Sequence, residues 1–359
     1  MTKQRYSDKE SLNRIQRLLV GKPVPQDDPD TVTGDLLSEN EALSDITELL
    51  GDSLPNETLT LPAAVQRAVG NSGFVRGWGG GYNIFVAPNH ANASDTNTGF
   101  DANNPLQTIT QAVSIARADR GDTIFVLQND GWQYGSSLTA TISENVTIPG
   151  TKPGITLVGV DPGSLGVNWQ PANGTGTFAL TVGAMDTTIT GFNFWGDGNG
   201  VHLLWDGVDN YGENALLVNN TFTEDLDVGI KITYSWYNKI HNNKFIEVAD
   251  YAIYADAADS SPAYEEITNN RFVNCGTAIF VEESDYSVVF GNDIYKAEAL
   301  VSGTATGQGI DFSSGAENTV RGNYFSCPLI NWDNFCSASA DDNWSENHLS
   351  DQVTYTNPS

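Results

Sequence analysis

The sequence predicts an all-β solenoid of stacked coils, preceded by an α-helical segment. Three observations carry that expectation. An asparagine recurs just before an aromatic or aliphatic step: Asn220 before Phe222, Asn243 before Phe245, Asn270 before Phe272, Asn292 before Ile294 and Asn323 before Phe325. The spacings are 23, 27, 22 and 31 residues, and self-similarity at such a period signals a stacked repeat. Each step leads into a short run, such as 228–232, 251–254 and 278–281, that nearly alternates in polarity between Gly, Asn, Asp and Ser, which is a strand pattern. The composition, with 35 Gly, 39% hydrophobic and only 17% charged residues, is rich in turns and poor in helix formers.

A coil of this length holds two or three strands. Stacking would pair each strand with its counterparts above and below at about 4.8 Å. The asparagines then form a column one residue wide, the structural ladder Asn220, Asn243, Asn270, Asn292 and Asn323. Asparagine suits a turn because it tolerates left-handed backbone, and its amide can hydrogen-bond its neighbours along the stack. The Phe/Ile column beside it is expected to be an internal apolar stack.

Along the chain, residues 1–76 form a helical and linker segment. Ser7 with Glu10 and Ser38 with Glu41 are capping-box patterns ahead of apolar stripes, Leu12, Ile15, Leu18 and Leu19 in the first and Leu43, Ile46, Leu49 and Leu50 in the second. A third short helix is expected over 62–69, with acidic linkers at 22–30 and 52–57. Three short helices on tethers build little core of their own, so their stripes are expected to dock on another surface, or else to fold back on the β-helix of the same chain. Residues 77–120 supply a first strand, a loop and a capping helix begun by Pro105, with Leu106, Ile109, Ala112, Val113 and Ala116 on one face. The helix would plug the open first coil. The solenoid proper is assigned to 121–327, and the polar, loop-like segment 328–359 is expected to cap its last coil.

The formal net charge of −28 argues against a nucleic-acid backbone as partner and favours a soluble surface. No run of 18 apolar residues exists to insert in a membrane, and residues 1–19 lack the apolar core of a secretory leader. Cys275, Cys327 and Cys336 are an odd set without metal spacing. Their options are a Cys327–Cys336 bridge or free buried thiols.

Candidate chemistry is sparser. Aligning coils on Phe222 and Phe245 places Glu224 over Glu247 and Asp227 over Asp250, each about 5 Å apart across the stack. Such carboxylates read as solvated turn acids, as a site for a hard cation such as calcium, or as a catalytic pair. Asp95, Asn97 and Asp101 suggest a calcium loop, but Gly99 falls one position early for the EF-hand pattern, and a hydrated turn fits better. Calcium is the only cofactor these patterns raise. Lys244 and Arg271 share an outward column. His90, His202, His241 and His348 form no metal motif. Tyr234, Trp236 and Tyr237, extended by Tyr254 and Tyr264 from the next coil, read either as a sugar-stacking platform or as packing between protomers.

The opening segment adds a resemblance. The strand at 82–89, the Asp/Asn/Gly loop at 95–104, the run Pro105-Leu106-Gln107-Thr108-Ile109-Thr110-Gln111-Ala112 and then Gly121-Asp122-Thr123-Ile124 are similar to the opening of many phage and bacterial β-helix proteins. Over roughly residues 82–326 the chain resembles the right-handed, single-stranded parallel β-helix proteins of the pectate-lyase-like superfamily. Relatives on this fold that cleave polysaccharides use several aspartates or a Lys/Arg base with calcium. The polygalacturonase-like set is missing here, and 229–232 echoes only its last member. The layout, a small N-terminal segment before the solenoid, resembles phage spikes. What the resemblance implies is a virion spike or decoration protein, located in the virion, that attaches to other virion proteins through residues 1–76, forms a homotrimer by analogy and displays the β-helix either for binding a host-surface polysaccharide or as part of the shell or tail structure. The alternative it leaves is a polysaccharide lyase or glycoside hydrolase.

Overall fold

The computed structural model describes residues 81–127, 141–160, 166–205, 212–223, 225–256, 263–296, 309–313, 315–326, 336–337 and 341–349. The N-terminal segment 1–76, Glu224 and Cys327 lie outside these residues. After the first strand and the capping helix, each coil runs through three strands in turn, and successive coils stack into three parallel sheets. Sheet A has ten strands, from Asn83–Val86 to Asn343–Ser345; sheet B has nine, from Ile142–Ser143 to His348–Leu349; sheet C has eight, from Val146–Ile148 to Cys336–Ser337. This is a parallel β-helix of the right-handed class that the repeat and the opening motif predict.

The pattern of two-residue alternation decides which side chains go inside. On sheet C, Leu180, Val201, Ile230, Ile253, Ile279 and Ile310 are in register and buried. On sheet B, Phe194, Phe222, Phe245 and Phe272 form a column of near-parallel rings with centroids 4.8 to 5.0 Å apart. The spacing is that of the strands themselves, so each ring packs flat on the next.

The asparagine ladder turns the corner from sheet A to sheet B. Asn220, Asn243, Asn270, Asn292 and Asn323 are buried, and each side-chain oxygen from Asn243 onward accepts the backbone N–H of the ladder residue one coil earlier at 2.9 Å. The left-handed residue at this corner is the one before the ladder position: Asn219, Asn242, Asn269, Gly291 and Gly322. The ladder asparagine is therefore selected for its inward amide, and the preceding residue for its backbone.

Two boundaries differ from expectation. The capping helix α1 spans Ile109–Ile115 and is capped by Thr108, whose hydroxyl accepts from Gln111 N. It does not begin at Pro105, because Leu106 bonds to Phe85 and Ala87 as a parallel bridge beside the first strand. Glu144 accepts from Ile109 N and Thr110 N at the same helix terminus. The C-terminal residues are also more regular than a loop-like cap. Cys336–Ser337, Asn343–Ser345 and His348–Leu349 extend the three sheets, and Asn347 extends the ladder by accepting from Asn323 N at 3.0 Å. The final hydrophobic positions are too sparse for a periodicity argument, but backbone pairing to the coil below supplies the missing order. Cys275 and Cys336 are free, buried thiols.

Candidate functional site

A second internal column lies at the corner from sheet C to sheet A. Asn238, Glu265, Ser287, Asn318 and Asp342 each precede a sheet A strand. Their side chains chain together: Asn238 Oδ1 accepts from Ala215 N, Ser287 Oγ from Glu265 N, Asn318 Oδ1 from Ser287 N, and Asp342 Oδ1 from Asn318 N. The residue before each of the first four is held in the left-handed region: Tyr237 at φ 60, Tyr264 at φ 60, Tyr286 at φ 58 and Glu317 at φ 59. In the coils before, Asn214 and Asp186 occupy the same kind of position. Asn and Asp enter this region at little cost, whereas a bulky residue there is strained.

The three tyrosines sit on adjacent coils and stack. Tyr237 and Tyr264 have ring centroids 4.9 Å apart with planes 14° from parallel, and Tyr264 and Tyr286 are 5.2 Å apart at 10°. Their exposures are 52%, 43% and 47%. Together with Asn214, Lys239, Glu265, Glu266 and Val288 they line a groove of about 510 Å³ that runs across the coils. Because the rings cover one another's faces, the row presents phenol edges to the groove. Lys239 and Glu266 lie opposite each other in register on sheet A, with Nζ to Oε1 at 3.6 Å.

Glu265 lies beneath this row, 1% exposed. Its Oε1 accepts from Asn238 Nδ2 at 3.2 Å, while Oε2 is buried without a hydrogen-bond partner. Burial pushes its carboxyl well above the ordinary carboxylate range. A group whose folded pKa is raised favours the fold at pH below its unfolded pKa, and that contribution is lost as pH climbs toward the folded value. Glu265→Gln supplies a neutral side chain of the same shape at every pH. The variant is expected to match wild type in thermal midpoint near pH 4 and to exceed it increasingly toward pH 8, where wild type must either bury a charge or hold a proton against the pH. Equal midpoints across that range in a pH series of melts would refute the assignment.

The structure brings together two of the five aromatics expected to bind sugar, Tyr237 and Tyr264, and adds Tyr286, which sequence reasoning missed. The signal was present. Tyr237, Tyr264 and Tyr286 each precede a ladder asparagine, Asn243, Asn270 and Asn292, by 6 residues. Tyr234 instead meets Trp205 edge-on at 5.6 Å, and Trp236 bridges Ala263 through backbone. Tyr254 lies on the outer face of sheet C, in register with His202, Lys231, Phe280 and Asp311. There Lys231 pairs with Asp256 at 2.7 Å, and Tyr254 donates to Glu282 at 3.3 Å. Burial, reinforced by Asp256 and Glu282, pushes the Tyr254 phenol up to about 12. Burial also lowers His202 to about 4, with Lys231 adding to the effect, so that imidazole is neutral at neutral pH.

Asp227 and Asp250 are stacked neighbours, joined by Asp250 N donating to Asp227 O at 3.0 Å, at the corner from sheet B to sheet C. Glu247 is left-handed at the same corner. In the opening loop, Asp95 accepts from Gln107 N, Thr108 N and Thr108 Oγ1. Asn97 donates to Asn92 O and Pro105 O, and Asp101 accepts from Asn103 N and Asn104 Nδ2. These side chains hold the loop's own backbone. Among the described residues no three His, Cys, Asp or Glu side chains are grouped to hold a metal.

Comparison with known proteins places this architecture. Residues 120–357 match the family model described as NosD, periplasmic copper-binding protein. That covers well over half of the 359 residues, and the chain belongs to the NosD family. Curated protein sequences yield no match. Among solved structures, the native GH136 lacto-N-biosidase from Eubacterium ramulus aligns with a TM-score of 0.53 at 13% identity, over 87% of this chain and 60% of that one. Its selenomethionine derivative aligns with a TM-score of 0.55 at 13% identity, over 75% and 56%. A rhamnogalacturonan lyase aligns at 0.37 and 10% identity, over 77% and 64%. The chain thus spans about three fifths of the length of the first structures it matches, and at these identities the likeness is one of fold.

Proposed function

We propose that this β-helix is a glycan-binding protein of a virion surface, with the tyrosine groove as its binding site. The observation that supports it is the row Tyr237, Tyr264 and Tyr286, three bulky residues kept left-handed on successive coils where Asn, Asp or Glu serve elsewhere. Strain of this kind, about 1–2 kcal/mol per residue, is concentrated at functional positions. Ligand sites combine aromatic surface with a few fixed polar groups, and this groove offers phenol hydroxyls, the Asn214 amide, Lys239 and Glu266 beside the rings. In this reading residues 1–76 attach the β-helix to other virion proteins and the assembly is a homotrimer. Titration calorimetry against positives from a host-glycan array should show saturable binding that falls at least tenfold in Tyr264→Ala. Binding unchanged in that variant would remove the groove from the reading. Comigration of the protein with particles at a fixed ratio to the major capsid protein in a density gradient would support the virion setting, and recovery only from a periplasmic fraction would overturn it.

A second reading, a polysaccharide-degrading enzyme, is favoured by the ionisable row His202, Lys231, Tyr254 and Asp311 on the outer face of sheet C. Release of new reducing ends from a polysaccharide panel, abolished in Lys231→Ala, would bring it forward. The family's description names copper. Copper sites draw on converging imidazole and sulfur donors, but His90, His202, His241 and His348 lie on separate elements. Cys275 and Cys336 are free and buried in the core, and burial raises the Cys275 thiol to about 11. The described residues do not fit a copper centre.

A further inference from the structure

We propose that the tyrosine groove selects uncharged glycans against anionic ones, and that Glu266 sets this selectivity by occupying Lys239, the cationic side chain of the groove lining. The inference rests on the glycan-binding reading and adds the class of ligand. Uronates and sulfated sugars are recognised by cations free to pair with them. Here Lys239 and Glu266 face each other in register one coil apart, with Nζ to Oε1 at 3.6 Å and side chains 44% and 51% exposed. A ligand carboxylate pairing with Lys239 therefore has to compete with the Glu266 carboxylate beside it.

The far end of the groove repeats the sign. The Tyr286 phenol is held above its ordinary range by the charge of Glu317, with partial burial, Tyr264 and Asp285 adding to it. Glu317 and Asp285 therefore add negative potential at that end. Over longer distances the −28 charge of the chain slows the approach of any polyanion. A neutral sugar meets none of these penalties, and its hydroxyls can donate to Glu266 and accept from the phenols, Lys239 and Asn214. Burial biases the Glu265 carboxyl beneath the row toward its neutral form.

The test uses the full-length protein and matched glycan pairs that differ only in charge: a neutral hexose oligomer with its uronic-acid counterpart, and a neutral N-acetyl amino-sugar oligomer with its sulfated form. Wild type should bind the neutral member of a pair, with the anionic member at least tenfold weaker at low salt. Glu266→Gln should raise the ratio of anionic to neutral affinity about three- to tenfold, as expected for a half-exposed charge pair at a binding surface, and Glu266→Lys should raise it further. Both positions are half exposed, so the variants retain the fold, which circular dichroism would verify. Equal binding of charged and neutral partners by wild type, or an unchanged ratio in both variants, would overturn the selectivity while leaving the groove as a glycan site. Binding of neither class, by any variant, would overturn the glycan reading and this inference together.

Discussion

Replacing Asn270 by alanine is expected to destabilise the β-helix by about 3–5 kcal/mol, because it orphans two buried backbone groups. Asn270 is 1% exposed. Its Oδ1 accepts from Asn243 N at 2.9 Å and from Asn243 Nδ2 at 3.1 Å, while its Nδ2 donates to Ile240 O at 2.8 Å and to Asn292 Oδ1 at 3.1 Å. Alanine leaves the backbone N–H of Asn243 and the carbonyl of Ile240 buried without these partners. Each orphaned group costs about 1–3 kcal/mol. Asn270→Asp keeps the acceptor, removes the donor and adds a charge, so it should be at least as damaging. Both follow from urea unfolding of the intact chain. A loss below about 1 kcal/mol in both variants would mean that the ladder is a consequence of stacking and contributes little to it.

Phe245→Ala is the second large effect. The Phe245 ring is fully buried between Phe222, at 4.8 Å and 8° from parallel, and Phe272, at 4.9 Å and 5°. The strand opposite carries Gly229, where an added Cβ would come within 3.1 Å of the Phe245 ring. The ring therefore fills space that no neighbour can enter, and truncation leaves a cavity. Buried Phe→Ala changes cost about 3–5 kcal/mol, and the strands flanking this site cannot collapse without breaking register with the coils above and below. Phe245→Leu, which retains most of the volume, should cost well under half as much. Denaturant melts giving the two variants equal stability would contradict a packing role for the column. In a solenoid each coil is stabilised chiefly by its neighbours, so hydrogen exchange should show the loss concentrated in the coils of Phe222, Phe245 and Phe272.

These two columns were legible in the sequence because the same residue types recur at the same positions through several successive coils. The N-x-F step repeats at the coil period, so the spacing of the chain reports directly on the stacking of the fold. The groove was only half legible. Tyr237 and Tyr264 stood out as aromatics in turns, but Tyr286 was passed over, and Tyr234, Trp236 and Tyr254 were grouped with them although the register sends them elsewhere. One residue of shift along a coil moves a side chain from the corner to a sheet face. Nothing in the composition of 264–266 distinguishes the two glutamates, yet Glu265 falls in the interior column and Glu266 on the outer face of sheet A.

Asp95, Asn97 and Asp101 have the residue types of a cation loop, but their oxygens and amides hold the loop's own backbone. The end of the chain looked irregular because hydrophobic periodicity fails there, while backbone pairing to the preceding coil continues without it. By itself the sequence determined the solenoid, its period, the asparagine ladder and the aromatic column, since each depends on local chemistry repeated at a fixed interval. Only the tertiary structure decided which tyrosines stack, which glutamate is buried and which cation is already paired. Those depend on residues from different coils brought to one corner, and their separation in sequence carries no local signal of that meeting.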